Sequence, residues 1–381
     1  MIYEVDNFDW KNVIYENLLV LKSVGLWPKG NGLYNRDVYL VYALSLAVFL
    51  VAGFNLSQLI NIYFIYTDFE VLTSSILLMT TNLLAITKMC LFLKNVPKIK
   101  NILNTLNTLD FRPKTPSQLE LIKPSLKRWK RIYIWYHTVV IFNLLMWSVA
   151  PILGDLEEHR LPFAAWFPFD TQVLPNYAAA YVYQMVCMWP MSVCNMNLDC
   201  IVMALMMLLC VQCDLLCYNL RSLHSLSFDK ELVECIKRHK VIVSLAKTSN
   251  DFFNWIILGQ FATSTSVTAL IMFQLTLVSP VSGEGLSHMF YIHGITTQIF
   301  LYCWFGNELE VKSSRIPNAV YESNWIYQPP KVKRNIIFFC IRCQRPIKIT
   351  AIKLFSLSLQ TFIAIMRSAY SYFALLSNVN A

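Results

Sequence analysis

The chain has 381 residues, 56% of them hydrophobic and 14% charged, with a formal net charge of +9. Soluble domains carry about 25% charged residues, so this composition excludes a soluble globular fold and places the chain in a bilayer. The positive charge gathers in the connections between apolar runs, which makes it a topology signal and excludes a nucleic-acid footprint.

Residues 1–37 begin "MIYEVDNFDW", an acidic stretch without a basic n-region or a small-residue cleavage site, which reads against a secretory signal peptide. Trp10, Ile14, Leu18 and Leu21 fall at helical spacing. They predict an amphipathic helix, lying at the membrane surface or tucked back into the bundle. Apolar runs follow near 38–59, 71–93, 132–153, 177–210, 252–278, 286–306 and 349–376. Each is long enough to cross about 30 Å of hydrocarbon at about 1.5 Å per residue. The expectation is an all-α membrane protein with seven transmembrane helices. The fourth run is overlong and carries Asp199, and the fifth is interrupted by "TSTSVT" at 263–268. Lys88 and Asp199, near the inner halves of the second and fourth spans, either pair or reach the interface. Snorkelling is the expectation for Lys88.

Lys and Arg concentrate in the connections 94–131, 211–251 and 307–348, whereas the connections 60–70, 154–176 and 279–287 are acidic and hold Arg160 as their one fixed positive charge. This asymmetry puts the N-terminus in the cytoplasm and, with seven spans, the C-terminus outside. None of the eleven cysteines lies in the outer connections, so no extracellular disulfide framework is expected. The spacings Cys210-x2-Cys213-x3-Cys217 and Cys340-x2-Cys343 lack the partners of a zinc site and read as free helix thiols. The outer stretch "GDLEEHRLPFAAWFPFDTQVLPN" (154–176) is rich in proline and aromatics, as befits a compact lid over the outer mouth of a cavity.

On the cytoplasmic side, helical periodicity continues past the bilayer through 211–251 and through "FGNELEVKSS" (305–314). A short helix ends near Pro346, too short to cross a membrane. Residues 307–348 therefore form a cytoplasmic anchor layer with the protruding helix ends. There Glu308 and Glu310 are expected to meet Lys331, Lys333, Arg334, Arg342 or Arg345. No internal repeat supports an inverted-repeat transporter. No HExxH, GxSxG, P-loop or paired-carboxylate spacing is present, and His137, His159 and His239 have no partners at motif spacing. No catalytic residue, metal site or cofactor is expected.

"YCWFGNELEVKSSRIPNAVYESNW" (302–325), the proline-bracketed short helix, "SLQTFIAIMRSAYSYFALLSN" (358–378) and the outer "LPFAAWFPFD" (161–170) together resemble the insect odorant receptor family. The likeness spans the whole chain and is most specific in its C-terminal third. The last span reads "SAYSYFALL" where gustatory receptors carry TYhhhhhQF (h, apolar), and the loop before the fifth span is shorter than in the odorant coreceptor. A G-protein-coupled receptor is disfavoured by the inverted topology and by the absence of DRY-like and NPxxY-like motifs.

The resemblance implies a ligand-selecting subunit of a tetrameric, non-selective cation channel, paired with the odorant receptor coreceptor in the plasma membrane of sensory dendrites. Its expected partners are that coreceptor, a small volatile odorant, membrane lipids and permeating Na, K and Ca cations. Helices of 38–306 carry the ligand pocket and the helix of 349–381 lines the pore. Spans two, three, four and six would enclose the pocket, with Leu72, Thr73, Ile76, Asn143, Met146, Trp147, Ala150, Tyr181, Gln184, Met185, Met188, Phe290, Tyr291 and Gly294 at pocket depth. Tyr and Trp suit stacking and Met suits irregular shapes. His288 and His293, on the outer side of span six, are placed to tune such a pocket. Leu375 and Val379, one turn apart, match the family's apolar gate, and Asn378 takes the place of a polar residue beside it. Arg367 is the odd charge in that span, expected to serve a structural or gating pairing. With no charged cluster at the pocket, a neutral aromatic or terpenoid-like odorant is favoured over an acid or amine.

Overall fold

The structure is a computed structural model that describes residues 5, 8–28, 30, 38–66, 69–153, 161–224, 227–279 and 282–380. Its helices in chain order are α1 (Trp10–Val13), α2 (Tyr15–Ser23), α3 (Val38–Leu46), α4 (Gly53–Ile65), α5 (Phe69–Leu106), α6 (Pro116–Leu153), α7 (Leu174–Arg221), α8 (Phe228–Leu277), α9 (Gly283–Ser314), α10 (Ile316–Tyr321), α11 (Pro330–Cys343) and α12 (Leu359–Asn380). A π-helical stretch, Ala47–Ala52, joins α3 to α4, so Val38–Ile65 forms one span.

Among the described residues, five spans are long and apolar enough to cross a membrane: Val38–Ile65 and helices α5 to α8. Helices α9 and α12 are 32 and 22 residues long, which reaches about 30 Å or more at about 1.5 Å per residue. Their apolar character is diluted by His288, His293, Gln298 and Arg367. Helix α7 is the hub, packed on α5, α6, α8 and α9. Residues 196–213 are buried without a break, as expected of a helix apolar all round. The overlong fourth run is thus part of one 48-residue helix whose middle is surrounded by protein.

The N-terminal helices are tucked into the bundle. Trp10, Ile14 and Leu21 are buried and Leu18 packs against them. Asp9 caps α1 by accepting from Lys11 N (2.7 Å), and the Trp10 indole donates to the Phe111 carbonyl (3.2 Å) between α5 and α6. Lys100 of α5 donates to the carbonyls of Pro28 (2.6 Å) and Gly30 (2.7 Å), tying the following loop to the same end.

At the end of the bundle away from the α8–α9 connection, the ends of α7, α8 and α9 join α10 and α11 in a helical layer. The continuation of α9 through "GNELE" is confirmed, but its charged partners differ from the expectation. Glu310 pairs with Lys348 (2.8 Å), and Glu308 lies 3.5 Å from Lys312 and 3.6 Å from Arg128. The basic residues of α11 face elsewhere, because α11 turns Val332, Ile336, Phe339 and Cys343 inward. Cys343 lies 3.7 Å from His239 Nε2, and burial pushes its thiol up to about 12. All eleven cysteines are free.

The last span is shorter than expected. Residues 349–358 form a small hairpin, with Thr350 opposite Ser356 and Ala351 opposite Phe355, and α12 begins only at Leu359. Its turn holds Ile352 and Lys353 at φ 48° and 60°, a conformation costly for a β-branched residue. Asn250 and Asn254 of α8 accept from Thr350 N (2.7 Å) and Ile352 N (3.3 Å) and secure it. On the other side, the hairpin's end presses on Gly306 of α9. A Cβ there would lie 2.3 Å from Leu357 Cβ and 2.7 Å from its carbonyl oxygen. Glycine in "FGNELE" thus lets the foot of α12 seat against α9. Gly306→Ala is expected to cost about 1–3 kcal/mol through overpacking, read as a lowered midpoint in thermal unfolding of the purified protein. An unchanged midpoint would show that the hairpin yields freely.

Candidate functional site

Helices α5 to α9 enclose a cavity of about 160 Å³. Voids of about 150 Å³ lined by apolar side chains admit benzene, so the size suits a small ring compound. Each helix contributes one face at three- and four-residue spacing: Leu78, Thr81, Asn82 and Ala85 of α5; Tyr136, Val140, Asn143 and Trp147 of α6; Met188, Met191, Ser192 and Asn195 of α7; Gln260, Thr263, Ser264 and Val267 of α8; and Tyr291, Gly294, Ile295 and Gln298 of α9. Gly294 permits close approach, since a Cβ there would lie 2.7 Å from Asn143 Nδ2.

Aromatic rings form the outer end. Phe163, from the segment preceding α7, stacks on Trp147 at 5.5 Å, and Trp147 meets Tyr291 edge-on at 5.9 Å. The Gln184 amide clasps the Phe163 backbone, donating to its carbonyl (2.8 Å) and accepting from its N–H (3.1 Å). Of the lid expected over 154–176, residues 154–160 lie outside the described residues, and Phe163 is the member that reaches the cavity.

The inner end is polar. One turn deeper on α5, α7 and α9, Lys88 donates to Asp199 Oδ1 at 2.6 Å, and both side chains are fully buried. The expectation that Lys88 snorkels is overturned, because Asp199 lies opposite it inside the bundle. Asp199 also accepts from the Tyr302 hydroxyl (2.7 Å) and from Gln298 Nε2. Gln298 Oε1 in turn accepts from Gln260 Nε2 (2.9 Å), which also donates to Ser264 Oγ (2.7 Å). A chain of hydrogen bonds thus runs from the ion pair to the cavity wall.

Of the expected pocket residues, Asn143, Trp147, Met188, Tyr291 and Gly294 line this cavity together. The others lie further out or behind. Thr73 is buried and accepts from Gln274 Nε2 (2.5 Å), Leu72 is half-buried and Ile76 is exposed. The Tyr181 hydroxyl donates to the Ser148 carbonyl, joining α7 to α6, and Met185 packs on the core. Met146 is half-buried, with its carbonyl accepting from Ser287 Oγ (3.3 Å), and Phe290 meets Phe142 edge-on at 4.8 Å. Nothing is described for the Ala150 side chain. His288 backs Trp147 at 5.5 Å, whereas His293 is exposed. The cavity lies about a turn deeper than the outermost expected residues. It also takes a wall from α8, signalled by the polar interruption "TSTSVT".

On α12, Ile363, Arg367 and Leu375 are exposed, Leu375 lying about 80° around the helix from Arg367. Arg367 makes no ion pair among the described residues. The side chains of Asn378 and Val379 are not described, though both lie in the helix.

The family described as "7tm Odorant receptor" matches residues 68–370. The chain belongs to the insect odorant receptor family. Odorant receptor Or1 of Anopheles gambiae is 25% identical over 414 residues, 99% of this chain and 97% of that one. The odorant receptor coreceptor of the same mosquito is 30% identical over 141 residues, covering 37% of this chain and 30% of the coreceptor. The insect olfactory receptor OR5 from Machilis hrabei, solved in complex with eugenol, superposes at a TM-score of 0.85 and 20% identity, over 97% of this chain and 98% of that one. The two share an all-α, seven-helix membrane fold. The family is one of receptors, and no enzyme family is indicated.

Breaking one half of the buried pair tests the inner end of the site. Lys88→Met is expected to cost about 3–5 kcal/mol, because Asp199 stays buried without its counter-ion. The double variant Lys88→Met/Asp199→Leu should recover most of that loss in a double-mutant cycle on unfolding of the purified protein. Additive losses would mean that the pair is not coupled.

Proposed function

We propose that this odorant receptor is the ligand-selecting subunit of a heteromeric cation channel, and that the cavity between α5 and α9 is its odorant site. The observation that carries the reading is the enclosed, aromatic-capped cavity, whose inner wall is hydrogen-bonded into the helix that abuts the foot of α12. The OR5 receptor solved with eugenol supports a small volatile organic ligand there. End-to-end similarity to Or1, against 30% coverage of the coreceptor, favours the role of partner to the coreceptor.

Two exposed faces fit assembly. Ile337, Phe338 and Ile341 of α11 are each more than half exposed outside the bilayer, and large apolar side chains left so mark a subunit contact. The exposed side of α12, with Leu375 near its outer end, is the face we assign to a central pore in a tetramer. A ring of such side chains closes the path to ions by dewetting; Val379 is the second apolar gate position we assign and Asn378 the polar residue beside it. Arg367 on that side would oppose cations at the pore axis, so its place is at the contact with a neighbouring subunit. The plasma membrane of a sensory dendrite is the location, and Na, K and Ca ions, with lipid around the helices, complete the partners.

Whole-cell current decides the matter, in cells expressing this chain alone or with an insect odorant coreceptor, under pulses of a volatile panel with G-protein signalling blocked. A reversible cation current that needs the coreceptor is the expected result. Leu375→Asn should add current without ligand, because a polar ring stays hydrated. Silence in both cell types despite surface expression would overturn the channel reading. A response abolished by the G-protein block would favour a coupled receptor instead.

A further inference from the structure

The hydrogen-bonding polarity of the cavity is fixed by the structure, and it is one-sided. Asp199, ionised beside Lys88, only accepts, so the Gln298 amide must turn its Nε2 toward it. Gln298 Oε1 then faces α8, and only the Nε2 of Gln260 can satisfy it (2.9 Å). Both N–H groups of Gln260 are used, the second on Ser264 (2.7 Å), and the Oε1 of this cavity-lining residue is left buried without a partner. Gln260 is 3% exposed, so no bulk water reaches this atom. Asn143 is fixed in the same way from α6. Its Nδ2 donates to the Phe290 carbonyl (2.7 Å), which can only accept, and its Oδ1 is likewise buried at the cavity and unpaired. Asn195 adds a third unpaired Oδ1 on α7.

The hydroxyls of Thr263, Ser192 and Tyr136 also border the cavity, but a hydroxyl rotates to donate or accept and discriminates little. The groups that cannot adapt are carbonyl oxygens, and an unpaired buried acceptor carries a standing desolvation cost. A ligand relieves that cost only by bringing a donor. A cationic amine would donate too, but burying its charge in this cavity without a carboxylate on the wall is far costlier. Resting on the reading of this cavity as the odorant site, we propose that the receptor selects neutral ligands bearing a hydroxyl, alcohols or phenols, and that Gln260 and Asn143 are the residues that read it. They sit beside Gln298 and Gly294 of α9 respectively, two residues one helical turn apart on the same side of that helix.

Isomers separate this from size and apolarity. Benzyl alcohol, 4-methylphenol and anisole share one formula, and only anisole lacks a donor. Binding is measured as the thermal shift of the purified receptor, and potency as current with the coreceptor. For a volatile that opens the channel but is none of the three, their competition with it is read instead. The two hydroxyl isomers should bind about tenfold more tightly than anisole, the worth of one buried hydrogen bond gained and one unpaired acceptor relieved. Gln260→Met should lower that ratio, and Gln260→Met together with Asn143→Leu should bring it close to one. Asn143→Leu provides the second, independent variant should the first fold poorly. Anisole equal to its isomers in the unmutated receptor would overturn the proposal, as would a preference that survives both variants. Hydroxyl-selective binding without any current would instead overturn the channel reading and leave the ligand class standing.

Discussion

Lys88 and Asp199 meet at 2.6 Å with neither side chain touching solvent, and much of the receptor's interior is arranged around that contact. Removing two charges from water is costly, and their attraction offsets this only when the remaining lone pairs are satisfied. Here Tyr302 and Gln298 supply those hydrogen bonds to the carboxylate. The pair therefore works less as a clamp than as a reference point. It joins α5 to α7, draws α9 to the same place, and dictates which end of each neighbouring amide must point where. A mutual swap of the two charges would reverse every orientation downstream of it.

The bundle divides at this level. Outward of the pair the five helices leave a cavity capped by the Trp147–Phe163 stack. Inward of it α7 is buried without a gap from 196 to 213, and the chain continues into the layer formed with α10 and α11. The middle of α7 is fully packed in protein on that side, whereas on the other side the five helices leave the cavity open. This contrast arises from side-chain size and polarity along the same helices, since each of α5 to α9 passes through both halves.

The all-α, seven-helix membrane fold was legible in the sequence, because it rests on run length. The family was legible in the C-terminal third. Five of the residues expected at pocket depth line one cavity, Trp147 and Tyr291 among them. What escaped was information about facing partners. The sequence offered two readings of Lys88, a pair with Asp199, 111 positions away, or snorkelling, and nothing around the lysine itself decides for the pair. Glu310 similarly prefers Lys348, nearby in space, to the denser basic run of α11. Gln184 has the chemistry of a ligand contact yet spends both amide atoms on the Phe163 backbone. Conversely, the "TSTSVT" interruption looked like a defect in a span and is the wall of the cavity.

Helix α9 shows how these parts are joined. Gly294, Gln298, Tyr302 and Gly306 recur every four residues, the row that forms a ridge along one side of an α-helix. In order they meet Asn143 at the cavity wall, Gln260 and Asp199, Asp199 again, and Leu357 at the foot of α12. Twelve residues separate the first from the last, about 18 Å of one unbroken helix. Every contact on the ridge is of a kind with little tolerance: two glycines at approaches closer than a Cβ allows, and two polar groups bound to a buried carboxylate. A helix held this way cannot shift at the cavity without shifting against Leu357. The odd stretch where apolar "FLYCWF" runs straight into "GNELE" is thus the lower part of a single ridge, with its upper end at the cavity wall and its glycine under the start of α12.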